Sequence, residues 1–118
     1  MNLGVEDLDS GIVVVRIMGN IRMGPECDRI TLKVEELIAR KATRVVFDLS
    51  QLDYLDSAAI GMLVNCLSKL KRAGGGLRLA ALKQMVAGVL KLTKIDTVIG
   101  IFPSVEEAVK DFPATSAG

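Results

Sequence analysis

The sequence predicts an α/β domain built on a mostly parallel sheet. Three observations predict it. Strand-like and helix-like apolar patterns alternate along nearly the whole chain, the signature of parallel strands joined by helical crossovers. The apolar part is aliphatic: 50% of residues are hydrophobic, yet there is no Trp, one Tyr and three Phe. The length of 118 residues fits one domain that can bury a core without disulfide or metal staples. We expect a mixed sheet of four to five strands with four to five helices. We place the domain at residues 1–113 and a flexible tail at 114–118.

Each element has a local reason. Val5–Leu8 and Ile12–Met18 read as strands, and Asp9-Ser10-Gly11 between them reads as a turn, so the two form a hairpin. Gly19–Gly24 reads as a loop. Pro25 suits the first turn of a helix, and Cys27, Ile30, Val34, Leu37 and Ile38 then recur at helical spacing as far as about Arg40. Arg44–Leu49 is a strand around Val45-Val46-Phe47, and Ser50–Asp56 is a short loop. A helix over Ser57–Ala73 ends at Gly74-Gly75-Gly76, with Lys69, Lys71 and Arg72 at the negative end of its dipole. Leu77–Leu82 is a strand, Gln84–Lys91 a short helix and Thr97–Ile101 a final strand. Ser104 and Glu107 have capping-box spacing before Val105, Ala108, Val109 and Phe112, and Pro113 stops that last helix.

Composition narrows function. There is no histidine, which removes the commonest general base and metal ligand. No catalytic, metal or cofactor site is expected. A net charge of +1 and scarce aromatics give no footprint for nucleic acid. Cys27 and Cys66 lie in helix-patterned segments without zinc or CxxC spacing and read as buried or half-buried thiols. Glu6, Asp7 and Asp9 interrupt the N-terminal stretch, so no secretory leader is expected. No apolar run reaches the ~20 residues of a membrane span. A cytoplasmic location follows as the expectation.

The informative segment is Val45–Ala73. Asp56 is a good N-cap residue, and Ser57 then takes the first helical position. A phosphate on Ser57 would meet free backbone N–H groups and the positive end of the helix dipole. It would also add nearly two negative charges beside Asp56. At about 100° per residue, Ile60, Leu63, Val64, Leu67 and Leu70 share a core face, while Ala58, Met62, Asn65 and Lys69 point away. Met62 then has two open readings: part of an exposed docking patch with Ala58, or a side chain covered by another helix.

The chain from roughly Leu3 to Phe112 resembles the STAS domain of bacterial anti-sigma-factor antagonists. The resemblance is carried by a strand ending in Gly19, by Asp48-Leu49-Ser50, and by Asp56-Ser57-Ala58-Ala59-Ile60-Gly61. Gly74-Gly75-Gly76, Leu92-Thr93-Lys94-Ile95 and the terminal Glu-Glu-Ala helix add to it. It implies a non-enzymatic switch whose phospho-acceptor is Ser57. It implies an anti-sigma factor serine kinase and a serine phosphatase as partners, with Asp56, Ala58, Met62, Asn20 and Arg22 as partner-binding residues. The unphosphorylated form would hold the kinase and free a sigma factor. The sequence departs from the family pattern at Ala58, Ala59 and Arg22, where relatives carry Ser or Thr, Gly, and an acidic residue. A STAS subunit of a lipid-transport ABC complex is the alternative reading.

Overall fold

The structure is a computed structural model that describes residues 1–113. Its layering follows from side-chain alternation along the strands. In strand β2 (Val13–Ile21), Val13, Val15 and Ile17 enter one core and Val14 enters another. Val45 and Phe47 against Val46 repeat the division in β3 (Arg44–Asp48). The sheet is therefore buried on both faces, as a sheet with helical crossovers must be.

Strand β1 (Asn2–Asp7) pairs antiparallel with β2, Leu3 opposite Ile17, and forms the expected hairpin. β3 lies parallel on the other side of β2, followed by β5 (Gly76–Ala80) and β6 (Gly100–Phe102), both parallel. Helices α1 (Pro25–Ala39), α2 (Ser57–Arg72) and α3 (Gln84–Leu92) cover the larger core. Helix α4 (Val105–Asp111) covers the smaller one, where Ala108 and Phe112 meet Val14, Val46 and Ala80. The described residues include four α-helices and six strands.

The sixth strand is β4 (Leu52–Leu55), inside the segment read as a loop. It pairs parallel with the far end of β2, Asn20 opposite Tyr54 and Ile21 opposite Leu55, after a register shift at Gly19 and Asn20. The expected loop from Gly19 therefore starts three residues late, because β2 continues to Ile21. Near the other end of the chain, the expected strand from Thr97 is instead a 3-10 turn over Ile95–Thr97, and β6 begins at Gly100. The glycine run behaves as its chemistry requires. Gly74 takes φ +91° after α2, and a Cβ on Gly75 would lie 1.9 Å from the Thr43 carbonyl oxygen. The tail expected at 114–118 lies outside the described residues.

Candidate functional site

β4 leads directly into Asp56 and Ser57, so its pairing with β2 fixes where α2 begins. Asp56 is the N-cap of α2, with Oδ1 accepting from the Ala59 N–H at 2.9 Å. Its other oxygen, Oδ2, accepts from the Met23 N–H at 2.9 Å, and its own N–H donates to the Ile21 carbonyl at 3.2 Å. One carboxylate thus joins the start of α2 to the loop between β2 and α1. The Met23 bond, then the Ala59 bond, holds the Asp56 carboxyl below the usual carboxylate range. Glu26 secures the same loop by accepting from the Arg22 N–H at 2.8 Å.

Ser57 is exposed at the first position of α2. Ala58 is half-buried beside it. Asn20 is half-buried in β2, and Arg22 is exposed, its guanidinium 5.7 Å from the Tyr54 ring centroid. The structure therefore gathers Asn20, Arg22, Asp56, Ser57 and Ala58 at the end of the sheet where strands finish and helices begin.

Met62 does not join them. It is only 7% exposed and packs in the core, with the Cys66 Sγ 3.5 Å from its sulfur. The exposed-patch reading of Met62 is thereby corrected. α1 lies alongside α2, and its Cys27, Ile30 and Val34 share one core cluster with Met62 and Cys66. Val64, expected in the core, is instead exposed. The outward stripe of α2 is Ser57, Gly61, Val64, Asn65 and Ser68, continued by Lys71 and Arg72 in the last turn.

The remaining polar groups are committed elsewhere. Burial would raise the Asp48 carboxyl, but its bonds from Ser50 and from Arg16 Nε at 3.1 Å more than offset this and hold it below the usual range. Asp53 pairs with Lys83. Among the described residues no group of three or more His, Cys, Asp or Glu side chains converges as a metal site would require. Cys27 and Cys66 are both buried; burial pushes the Cys66 thiol up to about 11, which makes it a poor nucleophile. No described helix is long and apolar enough to cross a membrane.

Sequence reasoning placed Met23 in the partner loop Gly19–Met23 but passed over Tyr54, Glu26, Lys83 and Met85. The signal for Tyr54 was present, since Leu52 and Leu55 bracket two exposed residues in a short extended segment. The others reach the site only through the fold.

The sequence model of the STAS domain matches residues 7–108. The chain belongs to the STAS domain family. A Thermotoga maritima protein provisionally named an anti-sigma factor antagonist is 27% identical over 100 residues, covering 83% of this chain and 88% of that one. The crystal structure of an anti-sigma factor antagonist from Mycobacterium paratuberculosis superposes with TM-score 0.82 at 24% identity, over 94% of this chain and 92% of that one. The Bacillus cell fate determinant SpoIIAA superposes with TM-score 0.70 at 19% identity in both its unphosphorylated and its phosphorylated form. The unphosphorylated form covers 93% of this chain and 96% of its own, the phosphorylated form 92% and 97%. These likenesses share the fold described above.

Proposed function

We propose that this STAS domain is an anti-sigma-factor antagonist, a binding module without catalysis of its own. In this reading it sequesters an anti-sigma serine kinase while Ser57 is unphosphorylated, which releases a sigma factor in the cytoplasm. The kinase ends the interaction by phosphorylating Ser57, and a serine phosphatase restores it. The observation that carries the reading is the exposed Ser57 hydroxyl at the first turn of a 16-residue helix, beside an ionised cap already bonded to two backbone amides.

The physics of that position suits a switch that need not refold. Helix N–H groups and dipole accept a phosphate at Ser57 without disturbing the core, which α2 contacts on its opposite side. The same phosphate adds nearly two negative charges next to the ionised Asp56 and makes the surface that a partner meets sharply more negative. SpoIIAA supports this indirectly, since its phosphorylated and unphosphorylated forms match this fold with the same TM-score of 0.70. Asp56, Ala58, Asn20 and Arg22 form the partner surface in this reading. Met62 is excluded by its burial.

The test is a pull-down from lysate of the source organism with wild-type, Ser57→Ala and Ser57→Asp baits, read by mass spectrometry. Wild type and Ser57→Ala are expected to retain a small ATPase-fold kinase that Ser57→Asp loses. A transporter ATPase retained equally by wild type and Ser57→Asp would overturn the reading in favour of a lipid-transport subunit.

A further inference from the structure

The end of the sheet that carries Ser57 also gathers exposed apolar side chains. β2 ends at Ile21, β4 at Leu55 and β5 at Ala80, while α1, α2 and α3 begin at Pro25, Ser57 and Gln84. Met23, Tyr54 and Met85 belong to these ends; they are 76%, 48% and 73% exposed. Between β4 and α3 lies a cleft of about 100 Å³ lined by Asp53, Tyr54, Leu55, Met85, Val86 and Val89. Its one charged lining residue, Asp53, is already paired with Lys83. The cleft is well below the roughly 300 Å³ at which small-molecule sites begin, and it suits a single aliphatic or aromatic side chain.

Arg22 gives the cleft a charge. Its guanidinium lies over the Tyr54 ring, and among the described residues no carboxylate pairs with it. A free cation thus stands beside an apolar hole, and Tyr54 links the two. Asp53–Leu55 run straight into Asp56 and Ser57, so the strand that lines the hole and carries the ring under Arg22 leads directly to the Ser57 hydroxyl.

We propose that this cleft is the anchoring half of the docking surface for the kinase that modifies Ser57, an inference that rests on the function proposed above. The kinase inserts one apolar side chain between Tyr54 and Met85 and sets a carboxylate of the same segment on Arg22. Charge complementarity selects this occupant, because an acidic segment satisfies Arg22 and leaves the Lys83–Asp53 pair intact. A central apolar anchor with an ion pair at its rim is the usual division of labour in a protein interface.

The experiment measures the initial rate at which Ser57 gains phosphate in ATP-supplied lysate of the source organism, by intact-protein mass spectrometry with peptide mapping. Wild type is compared with Met85→Lys, Arg22→Glu and Leu92→Lys, each at an exposed side chain so that folding is retained, with melting curves as the check. Leu92 is exposed at the far end of α3, outside the cleft. Met85→Lys and Arg22→Glu are expected to slow phosphorylation about tenfold, as truncating an interface anchor does, while Leu92→Lys keeps the wild-type rate. Phosphorylation of wild type, Met85→Lys and Arg22→Glu at one rate overturns the cleft and leaves the switch standing. Wild type that gains no phosphate on Ser57 overturns the switch and the cleft with it. A wild-type homodimer in sedimentation that Met85→Lys dissolves overturns the kinase as occupant and assigns the cleft to a second copy.

Discussion

The two faces of α2 have opposite compositions for opposite reasons. The inward face carries Ala59, Met62, Leu63, Cys66, Leu67 and Leu70, all buried. As far as Ser68 the outward face carries Ser57, Gly61, Val64, Asn65 and Ser68, all exposed and none larger than Val, and the exposed Lys71 and Arg72 extend it only at the far end of the helix. The inward face is continuous with the sheet and with α1, so each of its side chains is held by neighbours from several elements. The outward face is held by nothing, and small residues keep it low around Ser57. The helix therefore separates two jobs that meet only at its first turn, where Asp56 serves both.

The largest effect expected on this contrast is at Leu63. It is fully buried and faces the sheet, so Leu63→Ala removes apolar contact and leaves a cavity. A loss of about 3 kcal/mol is expected in urea unfolding. An equal loss from Val64→Ala, one residue away on the exposed side, would show that the two faces are not energetically distinct.

Met62 tests where the boundary runs. Met62→Lys places an ammonium at the rim of the α1 contact, from which its stem can partly snorkel toward solvent. A destabilisation of about 2 kcal/mol is expected, less than at Leu63. An unchanged melting temperature would return Met62 to the surface and restore the docking role that its burial removes.

Acid probes the first turn. The Asp56 carboxyl is lowered in the folded state, so its contribution is fully present above the unfolded value, about 3.9. The contribution is lost as pH falls through the folded value. The Met23 amide resonance is expected to titrate with Asp56 in this acid range, because Met23 donates to Oδ2. In Asp56→Asn that titration should vanish, and a Met23 shift persisting there would mean that another group holds the loop.

The inward–outward contrast also explains how much was readable beforehand. The α/β class, the hairpin, the Ser104 cap of α4 and the Asp56 cap of α2 all follow from short-range chemistry: alternation, turn residues and a capping oxygen. The start of α2 at Ser57 was legible for the same reason. What was missed depends on contacts between distant segments. β4 is four residues long with Asp53 and Tyr54 at its centre, and its partner is the Gly19-Asn20-Ile21 end of β2, whose first two residues are poor strand formers. Neither half announces a strand until the fold brings them together. The core face of α2 was misplaced by roughly 70° of helical rotation, because periodicity reveals that a face exists and not which neighbour covers its edge. Only the packing of α1 puts Met62 and Cys66 inside and leaves Val64 out.

Gly61 gives the smallest expected effect on stability and the most informative sign. It lies four residues from Ser57 on the outward face, in the helix interior, and a Cβ there would meet nothing within 4 Å. Gly61→Ala removes backbone freedom from the unfolded chain without strain in the folded one, so it is expected to stabilise by about 0.7 kcal/mol. If the glycine is there only for the fold, the variant is simply a better protein. If it is there to let a partner approach the backbone beside Ser57, the added methyl raises the melting temperature while slowing phosphorylation of Ser57. A rise in both stability and phosphorylation rate would show that the low outward face of α2 is not what the kinase reads, and would move the docking surface wholly onto the β4–α3 cleft and the Arg22 loop.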